Sequence, residues 1–181
     1  TIPQILVPNS LNALYDLALY KRQESKAKII AITGSVGKTS AKEMLHKFCN
    51  FYGQSYASLG NFNNNIGLPL SLANLPIDSE FAIFELGMNH LGEIEFLSNM
   101  LRPDIAWITL VSNAHIGNFD GIKDIIEAKS EIFAGLNSVG KIILNHNDNN
   151  FFSLKERALT NYGFAATQIK TYGSKLNNNL V

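Results

Sequence analysis

The sequence has one cysteine in 181 residues, one tryptophan, five prolines and no excess of either charge, fifteen basic residues standing against fifteen acidic. A single cysteine excludes an internal disulfide, and Cys49, inside the apolar pattern of a helix, reads as core in a reducing compartment. Balanced charge leaves no electrostatic footprint for nucleic acid or a membrane surface, which directs attention to small-molecule partners. No apolar run approaches the ~20 residues of a membrane span. The N-terminus lacks the basic-then-apolar plan of a secretion signal, so a cytoplasmic location is expected. Repeats and low-complexity segments are also missing, and the length suits one domain with a full core.

What the chain does have is Thr33-Gly34-Ser35-Val36-Gly37-Lys38-Thr39-Ser40, placed between the apolar run Ile29 to Ile32 and an amphipathic segment. Strand, glycine-rich loop and helix in that order form a phosphate cradle. Backbone N–H groups close around phosphate oxygens, Lys38 reaches the β and γ phosphates, and the Thr39 hydroxyl can ligate Mg²⁺. The pattern is shorter than a full Walker A motif, whose first glycine would fall where the chain has Ile32. The competing reading is a glycine-rich turn before a surface helix.

Ahead of this loop, Leu11, Leu14, Tyr15, Ala18 and Leu19 recur at helical spacing, with Ser10 as the expected N-cap. The polar stretch Lys21 to Lys28 is expected to join that connecting helix, residues 1–27, to a main domain of residues 28–181. After the loop, Met44, Leu45, Phe48, Cys49 and Tyr52 predict an inward helical stripe ending at Gly53. Gln54 to Ser58 is the next strand candidate. Four asparagines then crowd into Gly60 to Pro69, an ordinary turn composition, before a short helix through Ala73.

The later strands end in chemistry. Phe81 to Phe84 runs into Glu85, a carboxylate at a strand exit, where a nucleotide-bound Mg²⁺ needs one; an exposed surface glutamate is the alternative. Ile94, Leu97 and Leu101 give a helix stopped before Pro103. Ile105 to Val111 is the most apolar strand and leads to His115, which a parallel sheet would bring to the same rim as Gly34 to Thr39 and Glu85. Lys141 to Leu144 ends in Asn145-His146-Asn147-Asp148, Phe151 to Leu159 reads as helix, and Gln168 to Tyr172 as a last strand. The alternation predicts a three-layer α/β domain with a mainly parallel sheet.

The helix predicted from Gly121 to Leu136 carries an anomaly. Ile122, Ile125, Ile126, Ile132, Phe133 and Leu136 define its inward face, and Lys129 lies in the middle of that stripe. A lysine there must snorkel, find an anion or lose its charge.

Five blocks together carry a family resemblance: Ile32 to Ser40, Gly60 to Pro69, Glu85-Leu86-Gly87-Met88-Asn89-His90-Leu91-Gly92-Glu93-Ile94, Ser112 to Phe119, and Glu127-Ala128-Lys129-Ser130-Glu131-Ile132. In this order they resemble the central ATPase domain of the Mur ligases, over about residues 11 to 173. The resemblance implies an ATP-dependent amide-forming ligase of peptidoglycan precursor synthesis that works through an acyl phosphate; a monomer is expected. Here the chain would be the middle piece of a longer enzyme and inactive alone. The Asn-rich block and Met88-Asn89-His90 are most similar to the branch whose substrates are a UDP-muramoyl-peptide and D-alanyl-D-alanine.

Carried over by motif, Gly34, Ser35, Val36, Gly37, Lys38, Thr39 and Ser40 hold ATP, with Asn145 on the adenine side. Thr39 and Glu85 bind one Mg²⁺ and His115 a second. Lys129 matches the family's lysine that reacts with CO₂ to give a carbamate supporting that second metal, so Lys38, His115 and Lys129 form the catalytic set. Asn61, Asn63, Asn64, Asn65, Asn89 and His90 would contact the muramoyl-peptide. Where the family often shows Asn-x-Asp-Asp, this chain has Asn145-His146-Asn147-Asp148. Two alternatives stay open: a sister ligase, such as folylpolyglutamate synthase or the ligase for the third peptide residue, and a phosphate-loop module that switches a partner.

Overall fold

The computed structural model describes residues 3–112 and 119–174. Strands β1 (Lys28–Thr33), β2 (Ser55–Ala57), β3 (Phe81–Glu85), β4 (Ile105–Ile108), β5 (Lys141–Asn145) and β6 (Ile169–Tyr172) alternate with helices α1 (Ser10–Glu24), α2 (Lys38–Cys49), α3 (Gly67–Ala73), α4 (Glu93–Leu101), α5 (Ile122–Ser130) and α6 (Phe151–Thr160). All six strands are parallel, in the order β2-β3-β1-β4-β5-β6. The expected α/β architecture is therefore present, with every strand exit on one rim. β1 lies in the centre, and the chain leaves it toward β2 on one side and returns through β3 to β4 on the other. That reversal opens a crevice above the carboxyl end of β1, where ligands of such sheets collect.

Alternation along the strands builds two cores. Ile29 and Ala31 face a large cluster shared with α1, α3, α4, α5 and α6. Ile30 and Ile32 face a smaller one with Ala41 and Cys49 of α2. Cys49 is buried and free, as its place in the pattern suggested.

Four local readings are corrected. The N-cap of α1 is Asn9, whose side chain accepts the Asn12 N–H at 2.9 Å, and Ser10 is already helical. The same helix runs on to Glu24 through half of the expected joint. Arg22 explains this, because its guanidinium donates to the carbonyls of Leu101 and Arg102 and docks the end of α1 on the end of α4. On α2 the inward face is Ala41, Lys42, Leu45 and Cys49, whereas Met44, Phe48 and Tyr52 are exposed. Finally, β4 stops at Ile108, three residues early. Beyond it the backbone serves the glycine loop instead of the ladder, the Leu110 carbonyl accepting the Ser35 N–H at 2.7 Å.

Candidate functional site

The glycine loop is held from several sides. Thr109 donates its hydroxyl to the carbonyls of Val36 at 2.7 Å and Thr33 at 3.2 Å, and Ser35 exchanges hydrogen bonds with Ser112 at 3.0 Å. Ser112 follows Val111, whose N–H donates to the buried carboxylate of Asp148 at 2.6 Å. Asp148, the acidic residue of the Asn145 block, thus anchors the β4 exit and through it the loop. Gly34 has φ +150°, and a Cβ there would stand 2.0 Å from the Thr109 hydroxyl; Gly37, with φ +83°, turns the chain into α2. Gly34→Ala should therefore lower stability by about 2–4 kcal/mol, the sum of backbone strain and a displaced hydroxyl, read as a shift in denaturant midpoint.

Around this loop the side chains converge as the motifs suggested. Lys38 donates to the Gly34 carbonyl at 2.9 Å, folded over the cradle it closes. Thr39 donates to Glu85 at 2.7 Å, and the other Glu85 oxygen accepts the Asn63 amide at 2.8 Å. Glu85 is only 2% exposed. Among the described residues no cation pairs with it, so the network leaves a buried negative charge beside a hydroxyl. Such hard oxygen donors suit Mg²⁺. No group of three or more His, Cys, Asp or Glu capable of holding a metal occurs among the described residues, and phosphate and water are the usual further ligands of Mg²⁺ at such sites.

A cavity of about 240 Å³ opens from the same place, lined by Lys38, Asn63, Gly87, Asn89, Glu93 and Lys129 among others. It shares Asn64, Gly87, Asn89 and Glu93 with a neighbouring cavity of about 380 Å³ that reaches Asn65, Tyr15 and Phe96. Lys129 is 3% exposed and meets no hydrogen-bond or ion-pair partner among the described residues. Burial first, and then the charge of Lys38, lowers its pKa from 10.5 to about 7. Between those values the unfolded chain carries a proton that the folded chain lacks. Stability should accordingly rise with pH from about 7 toward 10.5 and lose this dependence below 7. Melting temperatures in CO₂-free buffers should show that slope in the native sequence and a flatter one in Lys129→Met.

The remaining predicted residues divide. Asn64 lines both cavities and also accepts the N–H groups of Ile66 and Gly67, capping α3. His90 pairs its ring with Glu93 at 3.2 Å on the surface, and Asn61 is exposed with its carbonyl accepting from Asn63. Asn145 lies at the exit of β5, accepts the Asn147 N–H, and lines neither cavity. Val36 and Ser40 complete the loop and first turn of α2. His115 lies outside the described residues.

Two buried ionisable groups escaped the motif reading. Glu131 accepts the N–H groups of Gly92 and Glu95 and caps α4 directly behind the Asn89 loop, burial being the main reason its carboxyl is pushed up. Lys42, fully buried on α2, grips the carbonyls of Ser58 and Gly60. Its signal was available, since 42, 45 and 49 share one helical face.

A phosphate cradle on the central strand, with a buried carboxylate and two lysines at the same rim, defines a nucleotide-phosphate-binding α/β domain. The chain belongs to the Mur ligase family, whose middle domain matches residues 32–180. It is 49% identical over 165 residues to the UDP-N-acetylmuramoyl-tripeptide–D-alanyl-D-alanine ligase of Rickettsia prowazekii, covering 88% of this chain and 37% of that protein. Among solved structures it resembles MurF of Acinetobacter baumannii with a TM-score of 0.85 at 35% identity, over 94% of this chain and 36% of that one. MurF ligase of Thermotoga maritima, solved with ADP, matches with a TM-score of 0.76 at 27% identity over 94% and 38%. The chain thus spans about a third of the length of these relatives. No helix among the described residues is long and apolar enough to cross a membrane.

Proposed function

We propose that this chain is the ATP-binding part of a ligase that joins D-alanyl-D-alanine to a UDP-N-acetylmuramoyl-tripeptide in the cytoplasm. The observation that carries the reading is the continuous link Thr39–Glu85–Asn63, which ties the phosphate loop to the Asn-rich loop beside a cavity lined by Lys38 and Lys129. Phosphate binding and carboxylate activation need those two loops at one place. The relatives named as D-alanyl-D-alanine ligases support this acceptor over that of a sister ligase.

In this reading ATP is a substrate. Lys38 gives up the Gly34 carbonyl for the β and γ phosphates, and the peptide carboxylate attacks the γ phosphorus, expelling ADP and forming an acyl phosphate. The amine of D-alanyl-D-alanine then attacks the acyl carbon, and inorganic phosphate leaves as the amide forms. Thr39 and Glu85 would hold Mg²⁺, which would neutralise charge on the transferring phosphoryl group. A second ion would fall to His115 and Lys129. The lowered pKa of Lys129 supports its carbamylation, because a neutral amine is the form that adds CO₂, releasing one proton and leaving an anion. Asn61, Asn63, Asn64, Asn65, Asn89 and His90 are assigned to the muramoyl-peptide, and Asn145 to the adenine side.

The test is phosphate release by the complete ligase that contains this chain. Release should require both the UDP-muramoyl-tripeptide and D-alanyl-D-alanine, and each omission should silence it. ATP hydrolysis indifferent to the peptide would defeat the assignment.

A further inference from the structure

Lys42 is fully enclosed, with 0% of its surface exposed. Its ammonium donates to the Ser58 carbonyl at 2.6 Å and the Gly60 carbonyl at 2.7 Å, and forms an ion pair with the Glu43 carboxylate at 3.3 Å. A buried cation is costly, and a methionine or leucine would fill the same space without that cost. Space filling alone therefore does not account for it. The two carbonyls it holds mark the end of β2 and the first residue of the Asn-rich block.

The other end of the lysine explains what the grip is for. Lys42 stands on α2 one turn beyond Lys38 and three residues beyond Thr39, on the face that the Thr39 hydroxyl shares. Helix α2 consequently holds the Asn-rich loop at two points. One runs through Thr39, Glu85 and Asn63, and is reinforced where the Asn63 carbonyl accepts the Gly87 N–H at 2.8 Å. Thr39 and Glu85 are also the oxygen donors suited to a cation, so this point is not reserved for the loop. The second, through Lys42, touches no group the reaction uses.

We propose that Lys42 is a positioning residue that registers the Asn-rich loop against the phosphate loop, so that the groups binding peptide and those binding phosphate keep one fixed relation. The assignment of peptide to that loop rests on the function proposed above; the mechanical part does not.

Lys42→Met in the complete ligase separates the two. It keeps the volume and removes both carbonyl grips, so KM for the UDP-muramoyl-tripeptide should rise about tenfold or more, the scale of losing a charge-assisted hydrogen bond. KM for ATP should change less than about threefold, since no phosphate-binding group is touched. Amide hydrogen exchange across residues 59 to 66 should accelerate, while the amides of residues 28 to 33 in β1 keep their protection. Lys42→Arg, which keeps charge and donors, should recover part of the peptide KM.

Unchanged exchange over residues 59 to 66 overturns the proposal, as does an equal rise in both KM values, which would mean a general loosening. A native enzyme that ignores the peptide refutes the proposed function instead, and the exchange result alone then decides the role of Lys42. If Lys42→Met does not fold, Lys42→Gln, with its shorter uncharged donor, is read by the same two measurements.

Discussion

Glu85→Gln in the complete ligase should reduce peptide-dependent phosphate release by about 10²-fold or more, the scale of removing one preorganised charge-stabilising group, without lowering its melting temperature. The two halves of this expectation have one cause. Glu85 is buried, bonded by the neutral groups of Thr39 and Asn63, and has no cationic partner among the described residues. In the absence of ligand it is an uncompensated charge that the fold tolerates, so neutralising it removes a desolvation cost. Gain of stability with loss of activity is the signature expected of a functional group held at structural expense. Phosphate release together with a thermal melt in metal-free buffer provides the check. A variant that melts much earlier would make Glu85 a structural keystone, and a variant that keeps its rate would remove it from the metal site.

The rim chemistry was legible because each strand announces its own exit. Phe81 to Phe84 and Ile29 to Ile32 are apolar until they reach Glu85 and the glycine loop, and a parallel sheet then places those ends together without further information. Lys129 was legible for a similar reason, flanked on both turns by isoleucine and phenylalanine that leave no doubt which way the helix faces. Helix α2 was harder. Exposed Met44, Phe48 and Tyr52 imitate a buried stripe, because large apolar residues are common on surfaces, while the true face pairs small Ala41 with Lys42. Misplacing that face by one residue hid the most enclosed lysine among the described residues.

Other features depend on partners remote in sequence. Leu110 and Val111 look like strand, yet their backbone is given to Ser35 and Asp148. Nothing local distinguishes a carbonyl that will pair in a ladder from one that will hold a phosphate loop. Asn64 shows the limit from the other side, since the turn chemistry that makes asparagine an ordinary cap and the cavity lining that makes it a candidate for binding are both present.

Lys129→Ala should abolish ligation by the complete enzyme, a loss of about 10²-fold or more, while leaving the fold intact. The removed stem is buried and its loss leaves a cavity of modest cost, and the removed amine has no partner among the described residues whose bonding would be orphaned. What distinguishes a carbamate from an ammonium is the kind of small molecule that can replace it. Shortening the side chain leaves a space beside the cavity of Lys38, Asn63 and Glu93. Formate or acetate entering that space restores two carboxylate oxygens, the groups a carbamate would offer a metal. Methylamine or ethylamine restores a positive charge. Activity should therefore return in proportion to added carboxylate and not to added alkylamine, measured as phosphate release at saturating ATP and peptide. In the native enzyme, exhaustive removal of CO₂ should slow turnover, and bicarbonate should recover it. Rescue by the amine with none by the carboxylate would show that Lys129 acts as a cation. Its depressed pKa would then serve only to let it lose a proton near neutrality, and the anion supporting the second metal would have to come from elsewhere.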